Sequence, residues 1–300
     1  MTTTFAVVVT CYNYRDFVAE AVDSALAQTR PPKQVIVVDD GSKDGSQDLL
    51  RERYGNDPRV TLQICENGGQ LVAFQRGLAA TDADVVCFLD ADDRWGPGYL
   101  SKLGAVYDAR ADIGFIHSDI ALFGNEIRIK GEGPSPIDHG YTALATYALA
   151  HWYGSPTSAL SLRLTDARTC LNVPIEMSRS WRLCADAVLV HASSLMGVRK
   201  LYLPTGEVGY RIHGNNGWWS QRSHEARYRN QIGSRSLIEY FANIAGLCPR
   251  SLASAKLEFR TKPTPSRAEA RRYATIAMMG PEPLWRRLED ALSILIGRRR

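Results

Sequence analysis

Residues 85–93 read VVCFLDADD. Five apolar residues, Val85 to Leu89, run directly into three carboxylates, Asp90, Asp92 and Asp93. A short unbroken apolar run with β-branched and aromatic members predicts a strand buried on both faces. The acids at its end repel one another, and burying any of them is costly without a counter-charge. Two further runs share this form, Phe5 to Thr10 (FAVVVT) and Gln34 to Asp39 (QVIVVD). Between them Phe17, Val18, Ala21, Val22, Ala25 and Leu26 recur three and four apart, the spacing of an amphipathic helix that must stop before Pro31-Pro32. Ser46 to Tyr54 and Gln70 to Ala80 read as two more helices. Strands alternating with helices predict an α/β fold with a mostly parallel central sheet flanked by helices. Ligands of such sheets gather at the carboxyl ends of the strands. Here those ends carry Thr10-Cys11-Tyr12, Asp39-Asp40-Gly41-Ser42 and Asp90 to Asp93, so the polar chemistry converges on one rim.

The rest of the chain narrows the class. With 300 residues, 45% hydrophobic and 23% charged, it is long enough for one large α/β domain with an appendage. The net charge of +4 is concentrated in Arg271-Arg272, Arg286-Arg287 and Arg298-Arg299-Arg300 rather than spread over a face, which argues against nucleic acid as partner. The six cysteines form no CxxC pair and no regular framework, so free thiols in a reducing, cytoplasmic setting are expected, without zinc or disulfides. The first residues, MTTTF, lack a signal-peptide pattern, and no apolar stretch approaches the ~20 residues of a membrane span. Membrane contact is therefore expected to be peripheral.

Gly124 to Tyr141, rich in glycine, proline and charge, reads as a loop. Thr142 to His151 reads as a helix, Ser158 to Leu164 as a strand, and Asp186 to Met196 as a helix ended by Gly197. Leu201 to Leu203 and Val208 to Ile212 read as short strands leading to His213. Helical periodicity then dominates over Glu225 to Ala245, Ser266 to Met279 and Pro281 to Ile296. A boundary near residue 220 follows, with 1–220 as the catalytic domain and 221–300 as a helical extension.

Residues two apart in a strand share a face, so Asp90 and Asp92 can project together and hold a hard divalent cation such as Mg²⁺ or Mn²⁺ against a phosphate. Equally, these acids can cap a helix near Pro97. In VVDDGS, 37–42, an aspartate can accept from a ribose or a base, or the stretch can be a turn with capping from Ser42, Asp44 or Ser46.

Taken together, VTCYN (9–13), ALAQT (25–29), VVDDGS (37–42), Asn67-Gly68-Gly69 and LDADD (89–93) resemble, in order and spacing, the family 2 glycosyltransferases. The resemblance covers about 120 residues and continues more weakly through Ala185-Asp186 and Tyr210-Arg-Ile-His-Gly214. It implies a GT-A fold, Rossmann-like, and transfer of a sugar from a nucleoside-diphosphate donor, UDP-sugar favoured, to an acceptor hydroxyl with inversion. By the same resemblance Thr10, Tyr12 and Asp40 hold the base, and Asp39 and Asp90 lie near the ribose. Asn13, Asn67, Gln70 and Ala91 complete the donor site. Asp92, helped by Asp93 and His213, takes the Mg²⁺ or Mn²⁺ on the diphosphate. Asp186 becomes the general base, although as a bare residue it also reads as a helix N-cap.

Two positions depart from the family pattern. Ala185 stands where a second acid often precedes the base, and Phe74-Gln75 where Arg-Asn is common, leaving Arg76 to approach the donor phosphate. Trp95, His117 and Trp152 are candidates for the acceptor cleft, and Trp218-Trp219 for sugar stacking or core packing. The acceptor is left open between saccharide, lipid-linked and other hydroxyl compounds, with surface polysaccharide or glycoconjugate synthesis as the default. Leu284, Trp285, Leu288, Leu292, Leu295 and Ile296, flanked by arginines, form an amphipathic stripe suited to a membrane surface, a second copy or the chain's own core. Two other functions stay open: a nucleotide-sugar binder that has lost turnover, and, less favoured, a nucleotidyltransferase, which would want a glycine-rich, basic phosphate loop after the first strand where this chain has Thr10-Cys-Tyr-Asn-Tyr14. The absence of GxGxxG disfavours a dinucleotide dehydrogenase.

Overall fold

The computed structural model describes residues 2–214 and 223–297. Its elements run β1 (Phe5–Cys11), α1 (Val18–Leu26), β2 (Gln34–Asp39), α2 (Ser46–Tyr54), β3 (Val60–Ile64), α3 (Gln70–Ala79), β4 (Val85–Asp90), β5 (Arg94–Trp95) and α4 (Tyr99–Ala109). Then follow β6 (Phe115–Ser118), β7 (Ile120–Gly124), β8 (Arg128–Lys130), β9 (Ile137–Gly140), α5 (Ala143–Leu149), β10 (Leu160–Arg163), α6 (Leu164–Leu171), α7 (Ile175–Ser180) and α8 (Asp186–Leu195). The chain continues through β11 (Lys200–Leu203), β12 (Val208–Ile212), α9 (His224–Ile244), α10 (Ala255–Arg260), α11 (Arg267–Met278) and α12 (Leu284–Ile296). These form two compact units, one from 1–135, 154–189 and 203–221, the other from 136–153, 190–202 and 222–300.

In the first unit β3, β2, β1 and β4 lie side by side and parallel; β10 joins β4 antiparallel, and β6 beyond it runs antiparallel to β10, in the direction of β4. Every residue of β1 is buried, as the unbroken apolar run requires when helices cover both faces. Helix α1 turns Val18, Ala21, Val22 and Ala25 inward. Helix α3 comes so close to β1 at Gly77 that any Cβ there would clash with Val8. The register sets Thr10 beside Asp90 and Cys11 beside Asp39, so the polar strand ends meet on one rim. A small second sheet, β5-β12-β7-β8, carries β12 toward that rim.

The second unit is mainly helical, with a core of Leu144, Tyr153, Phe259, Tyr273, Ile276 and Ile294. Its β9 and β11 pair antiparallel. The stretch 124–141, expected to be a loop, therefore holds two short strands. Gly131, Gly133, Pro134 and Pro136 lie between them, while Arg128–Lys130 pairs with β7. The expected boundary at 220, together with Trp218, Trp219 and Arg298 to Arg300, lies outside the described residues. Among the described residues no helix is long and apolar enough to cross a membrane.

Candidate active site

The first strand ends bind each other before they bind anything else. Thr10 Oγ1 donates to Asp90 Oδ1 at 3.4 Å, and the Ala91 N–H reaches the Thr10 carbonyl at 3.1 Å. Tyr12 stands exposed on the rim. Asn13 takes a left-handed φ of 59° and accepts from the Lys43 N–H at 2.7 Å, while its own N–H donates to Ser42 at 2.8 Å.

The two aspartates of VVDDGS are spent differently. Asp39 Oδ1 accepts from the N–H groups of Gly41 (3.1 Å) and Ser42 (3.0 Å) and from Gln47 Nε2 (2.9 Å). Its Oδ2 is buried with no hydrogen-bond partner among the described residues. Asp40 gives one oxygen to the Gly68 N–H and the other to the Gly69 N–H, both at 2.7 Å, and Arg76 approaches at 3.4 Å. Asn67 returns a bond to the Asp40 carbonyl at 2.8 Å. Gly41 permits this closure, because its positive φ of 81° and the Asn67 backbone leave no room for a side chain. Asp40, expected at the base, therefore staples the 67–69 loop onto the rim, and Arg76, expected near a phosphate, backs that staple. Asp40→Ala is expected to lower unfolding free energy in urea by roughly 2–4 kcal/mol, since one buried and one part-buried N–H group and a guanidinium lose their acceptor.

Asp90, Asp92, Asp93 and Asp186 crowd one place. Burial, then the charges of Asp92 and Asp186, push the Asp90 carboxyl up to about 8. Burial, then the charges of Asp92 and Asp90, raise Asp93 well above the usual carboxylate range. Asp93 does not face outward: Ser158 Oγ donates to it at 2.6 Å and the Arg211 N–H at 2.8 Å, so both oxygens tie β4 to the 154–160 segment and to β12. Asp92 Oδ2 lies 2.9 Å from His213 Nε2. Burial, then the charge of Asp92, hold the nearby Tyr14 phenol protonated, and its ring meets that of His213 edge-on at 5.9 Å. Tyr210 sits within the field of all four acids, which together with burial hold its phenol protonated.

Asp186 opens α8, with its Oδ1 on the Ala187 N–H at 2.9 Å. A helix N-terminus favours an anion, but burial outweighs this and raises the carboxyl to about 6. Two residues earlier Cys184 adopts a left-handed φ of 60°, a strained conformation for a side chain with a Cβ. Gln70 joins the two ends of the cluster: its Nε2 donates to Asp90 Oδ1 at 2.9 Å, and its Oε1 accepts from the Ala185 N–H at 3.0 Å.

Sequence reasoning missed Tyr14, Ser158, Tyr210 and Arg211. Only Tyr14, just past VTCYN, and Tyr210-Arg211, in the segment before His213, carried a signal. Of the proposed acceptor contacts, Trp95 is 4% exposed, donates its indole N–H to the Ser158 carbonyl at 2.8 Å and stacks on Tyr99, so it packs the core instead. His117 is fully buried beside Ser155, at 3.2 Å, because β6 lies inside the sheet. Trp152 is 37% exposed in the second unit, its ring against His191.

Residues 6–132 match the model of the glycosyl transferase family 2. An uncharacterized glycosyltransferase of Nostoc sp. (strain PCC 7120) is 31% identical over 241 residues, 78% of this chain and 73% of that protein. A putative teichuronic acid biosynthesis glycosyltransferase of Bacillus subtilis (strain 168) is 37% identical over 98 residues, which cover 32% of this chain and only 39% of that protein. Among solved structures, S. aureus TarS 1-349 in complex with UDP matches at a TM-score of 0.56 and 15% identity, over 98% of this chain and 90% of that one. The same protein with UDP-GlcNAc matches equally, with a TM-score of 0.56 at 13% identity. At such identities the likeness shows the fold, a GT-A glycosyltransferase fold.

Proposed function

The chain belongs to glycosyl transferase family 2 and is a glycosyltransferase; on that premise we propose that it transfers a sugar, with inversion, from a nucleoside-diphosphate sugar to an acceptor hydroxyl. The observation that carries this reading is the meeting of Asp90, Asp92, His213 and Asp186 on one rim, a crowding of acids that calls for a cationic or hydroxyl-bearing ligand. A UDP-sugar is favoured as donor because the TarS structures of the same fold hold UDP and UDP-GlcNAc. A saccharide or lipid-linked acceptor in polysaccharide synthesis accords with the Bacillus relative's printed role. The six free thiols accord with a cytoplasmic setting.

Thr10, Tyr12 and Asn13 border the nucleoside, and the unsatisfied Asp39 Oδ2 offers an acceptor to it. An unmet buried acceptor costs about 1–3 kcal/mol, which a ligand N–H or O–H recovers. Asp40 and Asn67 act through the loop they brace. Asp92 and His213 supply a carboxylate oxygen and an imidazole nitrogen that fit Mg²⁺ or Mn²⁺, with Asp93 anchoring the turn behind them. A divalent cation bound there offsets the negative charge that grows on the diphosphate. Asp186 takes the proton from the acceptor hydroxyl as its oxygen bonds the anomeric carbon. The bond from that carbon to the diphosphate oxygen breaks, and the nucleoside diphosphate leaves with the electron pair. Residues 1–220 carry this chemistry and 221–300 form an extension to it.

Nucleotide release from a panel of UDP-, GDP-, dTDP- and CDP-sugars with Mn²⁺ and saccharide acceptors tests the reading. Release by the wild type that Asp186→Asn abolishes supports it; tight binding without release across the panel favours a binder without turnover. The pH profile carries a sign. Only ionised Asp186 accepts a proton, and its carboxyl is raised to about 6. The transfer rate is therefore expected to fall as pH drops through 6, about tenfold per unit beyond it, whereas an ordinary aspartate would hold to about 4. A flat profile down to pH 5 overturns the base assignment.

A further inference from the structure

Helix α12 presents an apolar face that its own unit does not cover. One edge is used internally: Ala291 and Ile294, 7% and 2% exposed, pack into the core that holds Tyr273, Ile276 and Ala277. Beside that edge Leu284, Trp285, Leu288, Leu292, Leu295 and Ile296 are each between 45% and 65% exposed. At helical spacing they fill an arc of about 120°, wide enough to be a docking face rather than scattered surface residues.

Charge decides what covers it. Arg286 extends over the Trp285 ring at 5.0 Å, and in the sequence Gly297 is followed by Arg298-Arg299-Arg300. With Arg287, these outnumber Glu289 and Asp290, and Asp290 is already paired with Lys256 at 2.9 Å. A second copy of the same face would bring arginine against arginine. The stripe's six residues also fall short of the ~20–30 a side that a stable protein interface uses. A bilayer needs no such area, and an anionic one answers the arginines. The helix has 13 residues, about 20 Å, too short to span a membrane and suited to lying in its surface, with Trp285 at headgroup level.

We propose that α12 docks the protein onto an anionic phospholipid surface, its leucines, Trp285 and Ile296 set into the headgroup–acyl boundary. The docking needs none of the transfer chemistry and is read without it. Flotation of the full chain with vesicles of phosphatidylcholine, alone or with about a quarter phosphatidylglycerol, is the test; the anionic vesicles are expected to hold roughly tenfold more protein and to release it in high salt. Leu288→Glu with Leu292→Glu is expected to abolish flotation with the circular-dichroism spectrum unchanged; the salt and lipid arms need no variant. Equal flotation on both vesicles, none on either, or a lipid-free dimer that the double variant splits overturns the proposal.

Discussion

Asp186→Asn is expected to lower the transfer rate by about 10²–10⁴-fold while donor affinity stays within a few-fold of wild type. The substitution keeps the shape and the hydrogen bond from the Ala187 N–H, so α8 retains its first turn. It removes the negative charge and, with it, the proton acceptance proposed for the transition state. A loss confined to the rate, with the Michaelis constant for the donor little changed, identifies that role, because a group used equally in ground and transition states would move the Michaelis constant instead. Unchanged turnover would move the base elsewhere in the cluster. Asp90 is the alternative to examine, yet its carboxyl, pushed up to about 8, stays protonated over much of the neutral range.

Asp92→Ala is expected to cost about 10³-fold in rate and, unlike Asp186→Asn, to abolish the thermal stabilisation by Mn²⁺. Its side chain meets His213 Nε2 at 2.9 Å, whereas Asp93 is held by Ser158 and the Arg211 N–H. His213→Ala should cost less, about 10–100-fold, and the double variant should fall short of the product of the two, because the residues serve one site. The melting temperature of the wild type is expected to rise by several degrees with Mn²⁺ at pH 8 and less at pH 5. Asp90 and Asp93 are both raised, so each destabilises the fold increasingly as pH climbs above the ordinary carboxylate value, and a cation relieves a repulsion that protonation relieves at low pH. Equal stabilisation at the two pH values would contradict this linkage.

The strands that meet at the rim were legible because β1, β2 and β4 are buried on both faces, and an apolar run ending in acids says as much in one dimension. Helices α1, α2 and α3 followed from their periodicity. The short strands β10, β11 and β12 were legible too, but the shortest were not. β5 has two residues and exists only through β12, far along the chain; β8 has three and pairs back on the adjacent β7, in a stretch whose glycines, prolines and charges read as a loop. β3, VTLQI on a sheet edge with every residue half-buried, did carry the alternation of a strand, a signal overshadowed by the long apolar runs. Within the site, spacing told which acids gather but not where their oxygens point. Asp40 and Asp93 look like ligands in sequence, whereas the backbone N–H groups of Gly68, Gly69 and Arg211 claim them in space. No local pattern encodes a bond across 118 residues. Trp95 was misjudged for the same reason: the carbonyl that takes its N–H belongs to Ser158, far along the chain.

Gln70 has a consequence for proton traffic. The Ala185 N–H can only donate, so the amide oxygen must face it and the NH₂ must face Asp90. An amide neither takes nor gives up a proton near neutral pH, and here it links Asp90, raised by burial, to the backbone N–H one residue before Asp186, the proposed base. Two such carboxyls in direct contact would share a proton between them, as acid dyads do, and neither would be a dependable base. Gln70 thus acts as an insulator. Gln70→Glu, nearly the same shape, would replace the insulator with a conductor, and the single acid limb of the pH profile would split in two.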